Sequence, residues 1–141
     1  MNKSKGFTII ELVVVIAIIA ILAAIELINV TGYISRGKDA AVQSDLRTMM
    51  TGAATVYNDT SSWATACTAT SPLAAYTAAT TASGLTNHNF CNAAAGTWVA
   101  CVELTSTANS GKDWCVDSTG ASQRITNTSC TNSITACPAA S

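Results

Sequence analysis

Two patterns of apolar residues divide the chain. From Phe7 to Ile25 the side chains are apolar without periodicity, and only Thr8 and Glu11 interrupt them. At 1.5 Å per residue a helix over this run reaches roughly 28 Å, close to the hydrocarbon thickness of a bilayer. Past Ile25 the pattern becomes amphipathic. Val42, Leu46, Met49, Ala53 and Val56 recur at steps of four, three, four and three, while Arg36, Lys38, Asp39, Gln43, Asp45 and Arg47 fall on other faces. The spacing predicts one helix from about Thr8 to Tyr57, about 75 Å long at the helical rise. Its stripe at 42–56 is expected to pack into the core of the region that follows. Gly32 and Gly37 weaken the helix locally, each by about 1 kcal/mol relative to alanine.

Turn-forming residues at 58–62 end this helix, and from Ala64 to Gly96 the chain is dominated by Ala, Thr, Ser and Asn, the composition of a connecting loop. Within it Pro72 to Tyr76 reads as a short helix begun at Ser71, with proline at the first position. Thr97 to Thr105 and Asp113 to Asp117 have strand character, and Ala108 to Gly111 between them favours a reversal, so these predict an antiparallel hairpin. Gln123 to Thr126 adds a third strand. The expected fold is α+β, with a small antiparallel sheet of three or four strands laid on the helix and burying Trp98, Val102, Leu104 and Val116.

Charge narrows the functions available. Charged residues are 11% of the 141, and the formal net charge is -1, so the chain lacks the basic field that nucleic-acid binding needs. Lys3 and Lys5 precede the apolar run with no acid among them, which keeps the N-terminus cytoplasmic and sends residues 30–141 outside. All six cysteines, Cys67, Cys91, Cys101, Cys115, Cys130 and Cys137, lie in that outer part. An even number in an oxidising compartment reads as three disulfides. Cys67–Cys91 across the loop, Cys101–Cys115 across the hairpin and Cys130–Cys137 at the C-terminus are the favoured pairs among 15 possible connectivities. No cysteine pair has zinc-ligand spacing, and His88, the only histidine, stands in a Thr-Asn-His-Asn loop as a solvated side chain.

Glu11 is the residue that composition leaves unexplained. A charge within hydrocarbon costs about 2.5–3.5 kcal/mol on insertion scales, so it requires a partner and a role. A secretory signal has no place for it, and a plain signal anchor accounts for the lysines but not for the glutamate. The run Lys5-Gly6-Phe7-Thr8-Ile9-Ile10-Glu11-Leu12 with the apolar stretch behind it resembles the class III leader and N-terminal helix of type IV prepilins and their pseudopilin relatives. The resemblance covers about the first 30 positions. It implies cleavage after Gly6 by prepilin peptidase and N-methylation of Phe7. It also implies that Glu11 pairs with the N-terminal amine of a neighbouring subunit in the filament centre. Such a pair gains little net stability, but removing one partner strands a buried charge at about 3–5 kcal/mol. The resemblance therefore gives Glu11 the setting of axial register.

The domains follow from this reading: a leader at 1–6, a membrane-spanning and filament-core helix at 7–30, an amphipathic helix at 31–57, a connecting loop at 58–96 and a sheet-and-disulfide region at 97–141. Many type IV pilins carry a proline in the mature helix. This chain has only Pro72 and Pro138, so any melted segment would fall on Gly32, Gly37, Asn29 and Thr31. Glu26 is expected at the outer membrane surface, solvated or paired with Arg36 or Lys38 of a neighbour. "WCVDSTG" resembles the head hairpin of some short bacterial pilins.

No phosphate loop, nucleophile elbow or metalloprotease pair appears, so no enzyme activity, cofactor or metal is expected. Asp113 and Asp117 read as solvated acids, too few for the six to eight oxygens calcium takes. Asn29, Asn58 and Asn127 begin N-glycosylation patterns, which leaves modification open. The expected function is a structural subunit, the major pilin of an extracellular type IV pilus. Its expected partners are copies of itself in a helical filament, prepilin peptidase, the assembly platform and, before assembly, the inner or cytoplasmic membrane. Loss of residues 1–6 removes two lysines, leaving 5 minus 8, or -3, and a mildly acidic fibre. A pseudopilin of type II secretion or DNA uptake, and a monomeric membrane-anchored binding module, are the alternatives. Adhesion, motility and DNA uptake are all open to such a fibre.

Overall fold

A computed structural model describes residues 6–141, apart from the side chains of 26–29. The surroundings expected for the Glu26 side chain thus lie outside the described residues, as do positions 1–5 of the leader. The chain divides into two compact units at Ile34 and Ser35, each considered by itself. In the first, residues 6–8 are non-helical, and helix α1 (Ile9–Thr60) begins directly behind them. Every described apolar side chain of this unit is exposed.

In the second unit α1 buries Val42, Leu46, Met49 and Ala53, four of the five expected stripe residues; Val56 is half-buried. The stripe extends one step earlier than its apolar members. Asp39, expected on a polar face, sits three positions before Val42 and is only 3% exposed. The helix stops where its turn-forming residues begin. Thr60 Oγ1 donates to the Val56 carbonyl at 2.7 Å, and Ser61 turns left-handed at φ 54° with its N–H on the Tyr57 carbonyl.

Helix α2 (Thr70–Ser83) occupies much of the expected connecting loop and runs well beyond the anticipated Pro72–Tyr76. Nothing breaks the Ala/Thr run between Pro72 and Gly84, and alanine is the strongest helix former. Gly84 ends it at φ 70° and donates its N–H to the Thr80 carbonyl at 3.0 Å. Pro72, Ala75, Ala79 and Ser83 form its buried stripe. The approach to α1 is close: a Cβ built on Gly52 would meet Ser71 Oγ at 2.9 Å and Pro72 N at 3.1 Å.

Four antiparallel strands follow in sequential order, β1 (Phe90–Ala94), β2 (Thr97–Glu103), β3 (Lys112–Asp117) and β4 (Ser122–Thr126). The β2–β3 hairpin and the third strand stand where the sequence put them; β1, drawn from Phe-Cys-Asn-Ala-Ala, carries too little β-branched character to be read in advance. One face of the sheet packs Trp98, Ala100, Val102 and Val116, with Leu104 beyond β2, against Val42, Leu46, Met49 and Ala53 of α1 and Ala75 and Ala79 of α2. The other face is not open to water. Val99, Cys101, Cys115 and Ile125 form a second core with Cys130, Ile134 and Cys137 of the C-terminal segment. Burial on both faces explains why β2 is buried from Trp98 to Val102 without alternation.

The second core corrects two expectations. Asp113 and Asp117 are not solvated: they are 0% and 2% exposed under that segment. Of the favoured disulfides, Cys67–Cys91 forms, but Cys101 bonds Cys130 and Cys115 bonds Cys137 in place of Cys101–Cys115 and Cys130–Cys137. Cys101 and Cys115 do oppose one another in register. Both project onto the outer face, where each reaches the segment that covers it, so the bridges fasten that segment to two strands. They close separations of 29 and 22 residues, each worth about 3–4 kcal/mol in the chain-entropy account, against roughly 2–3 for the shorter loops expected.

Candidate assembly site

The chain start is built around one carboxylate. Thr8 is the residue before the first helical turn, and Glu11 is the third residue of that turn. Glu11 Oε2 accepts from the Thr8 N–H at 2.8 Å and from the Thr8 hydroxyl at 2.7 Å. In return the Glu11 N–H donates to Thr8 Oγ1 at 3.3 Å. These are the reciprocal bonds of a capping box, in which a Thr side chain and a Glu three residues later satisfy amides that a helix start leaves without partners. Sequence reasoning overlooked Thr8, although Thr-x-x-Glu ahead of an apolar run is the signature of this device.

The cap does two things to the site. It fixes the helix start at Ile9, so Gly6 and Phe7, the expected cleavage and methylation residues, stand on non-helical backbone. It also turns the carboxylate of Glu11 toward the chain start instead of along the helix. Behind this polar point the apolar side chains have no cover among the described residues; Phe7, Ile9 and Ile10 are 79%, 83% and 76% exposed. The helix is long and apolar enough to cross a membrane.

Two buried acids hold the outer region together. Asp39 on α1 accepts from the Thr105 N–H at 2.6 Å, from the Thr105 and Ser106 hydroxyls, and from Asn109 Nδ2 at 2.7 Å. Burial pushes its carboxyl up, but the bonds from Ser106, Asn109 and Thr105 outweigh this and hold it below the usual range. Asp117, at the end of β3, accepts from the Thr119 N–H and hydroxyl at 2.8 and 2.6 Å and from the Cys137 N–H at 2.7 Å. It too lies below the usual range despite burial, through its bonds to Thr119, Cys137 and Ala121. The first acid fastens the β2–β3 loop to α1, and the second fastens the C-terminal segment to the sheet. His88 is half-buried beside the outer face. No group of three or more His, Cys, Asp or Glu among the described residues is arranged to hold a metal ion.

An apolar helix long enough to cross a membrane, led by such a cap, is thus followed along the chain by an α+β unit with an antiparallel sheet. Residues 1–25 match the prokaryotic N-terminal methylation motif. The chain is 52% identical over 46 residues to the type IV major alpha-pilin of Moraxella bovis, and equally to fimbrial protein Q of the same organism. Each alignment spans 33% of this chain and 29% of the relative, so the likeness is confined to under a third of the relatives' length. No solved structure matches the chain significantly. Over the aligned stretch the chain is similar to type IV pilins, and its long N-terminal helix followed by a four-stranded antiparallel sheet matches their α+β architecture.

Proposed function

We propose that the chain is the major structural subunit of an extracellular type IV pilus. Prepilin peptidase cuts after Gly6 and Phe7 is methylated. The subunit then leaves the membrane through an assembly platform to pack through residues 7 to about 30 with copies of itself. The carboxylate of Glu11, held toward the chain start by Thr8, pairs with the Phe7 amine of a neighbour. The observation that carries this reading is the coincidence of two features: an apolar surface over residues 7–25 that no described residue covers, and the carboxylate of Glu11 at its head. A membrane covers the first alone, whereas a neighbouring helix with a charged start covers both.

A pseudopilus is built with the same N-terminal chemistry. The fimbrial names of the relatives favour the surface fibre. The test is the intact mass, with and without reductant, of the protein in material sheared from cells. The expected result is an abundant chain that begins at methylated Phe7 and gains the mass of six hydrogens on reduction. Processed chain confined to membranes contradicts the pilus and supports the pseudopilus. A chain that keeps Met1 to Gly6 contradicts both and supports an anchored binding module.

A further inference from the structure

The outer face of the sheet contains a second pair of acids, and these lack the partners that Asp39 and Asp117 enjoy. Asp113 on β3 is 0% exposed, and neither of its carboxylate oxygens has a hydrogen-bond partner among the described residues. Glu103 stands directly opposite on β2, with Oε2 buried and likewise unpartnered. On the other side Asp113 faces Ile125 of β4, which offers no polar group. A buried carboxylate without partners is costly to keep ionised, and a like charge on the adjoining strand raises that cost.

We propose that Asp113 and Glu103 form a proton-operated latch, which holds the covering segments on the outer face when Asp113 is protonated and loosens them when it ionises. Two segments meet at this end of the sheet. The loop at 85–89 carries His88 and is tied to β2 by Asn89, whose Oδ1 accepts from the Glu103 N–H at 2.9 Å. The short 3-10 turn Asn127–Ser129 leads into Cys130, whose sulfur contacts the His88 carbonyl at 3.6 Å. Neither segment supplies a donor to the Asp113 carboxylate or to Glu103 Oε2, and water is the partner they gain when these segments lift.

The charged groups around Asp113 set the direction. Burial raises its carboxyl to about 7, the positive field of His88 opposes this, and Glu103 adds to it. Asp117 lies four residues along the same strand but is satisfied by its own donors, and the covering residues 127–137 contain no charged side chain. A carboxyl raised on folding contributes stability that is complete below its ordinary value of 3.8 and is lost as pH rises toward 7. The latch is therefore closed in mild acid and slack above neutrality. Cys101–Cys130 keeps the segment tethered, so opening is local and reversible.

Hydrogen exchange of the full chain in detergent micelles, corrected for intrinsic pH dependence, tests this. Between pH 5.5 and 8.5 the opening of 85–89 and 127–134 should rise on the order of 30-fold, given a shift from about 4 to about 7. Amides of α1 at 42–53 serve as the reference and stay unchanged. Asp113→Asn should remove the rise and open to the same extent at both pH values. Equal opening of the wild type at both pH values, or a rise that persists in the variant, overturns the latch. Should the variant not fold, the side-chain carboxyl resonance of Asp113 in the wild-type chain decides the matter: titration near 7 supports it, and titration below 5 overturns it.

Discussion

Glu11 caps its own helix and, in the proposed filament, supplies a charge to a neighbour, two roles that most substitutions would remove together. Glutamine at the third helical position still completes a capping box, because it reaches back to the same amide, but it carries no charge. Alanine removes both. Thr8→Ala loses the cap and keeps the charge, at a cost of about 0.5–2 kcal/mol of local helix stability. We expect Thr8→Ala to assemble in reduced amount and Thr8→Ser to be near wild type, as read by subunit recovered in the sheared fraction. Asp39 offers a second test. Asp39→Asn removes a charged acceptor of several bonds, at roughly 1.5–3 kcal/mol for a hydrogen bond to a charged group. Because its carboxyl is lowered on folding, Asp39 contributes stability above the ordinary value of 3.8 that is lost as pH falls through the folded value. The thermal midpoint of the variant should thus be lower at pH 6, by several degrees, and less sensitive to acid than that of the wild type. Both roles were written in the chain: Thr8 by its spacing to Glu11, and Asp39 by its place three before Val42. Neither was read in advance, the second because a charged residue was assigned to water by its type alone.

Among the elements, the two glycines of α1 that lie in the outer unit should respond in opposite senses. Gly37 has nothing within 4 Å of an added Cβ, so Gly37→Ala gains helix propensity, by up to about 1 kcal/mol. Gly52 faces the start of α2, and Gly52→Leu forces the helices apart at a cost of about 1–3 kcal/mol. Chemical denaturation of the oxidised chain distinguishes the two by the sign of the midpoint shift. The long helix, the hairpin and the inner core were legible because the 3.6-residue period and the alternating strand pattern are local signals. Helix α2 was read too short, since its stripe of Pro72, Ala75, Ala79 and Ser83 differs little from its surroundings in polarity. The disulfides Cys101–Cys130 and Cys115–Cys137 could not be read, because they depend on a C-terminal segment that folds back over the sheet without helix or strand pattern of its own.

Over the whole molecule, the formal acidity of the processed chain overstates that of its surface. Asp39, Asp113 and Asp117 are buried, while Arg36, Lys38, Arg47 and Arg124 are exposed. The same burial separates the two units: buried acids and disulfides lie in residues 35–141, whereas the described apolar side chains of residues 6–34 are exposed. Assembly through Glu11 is the central claim, and the quantity that tests it most directly is the amount of Glu11→Gln subunit in filaments sheared from cells, relative to wild type at equal expression. That subunit is expected to be cleaved after Gly6 yet nearly absent from the sheared fraction, because the cap survives and the charge does not. Recovery of Glu11→Gln at the wild-type level would contradict it, and would reduce Glu11 to the cap of its own helix.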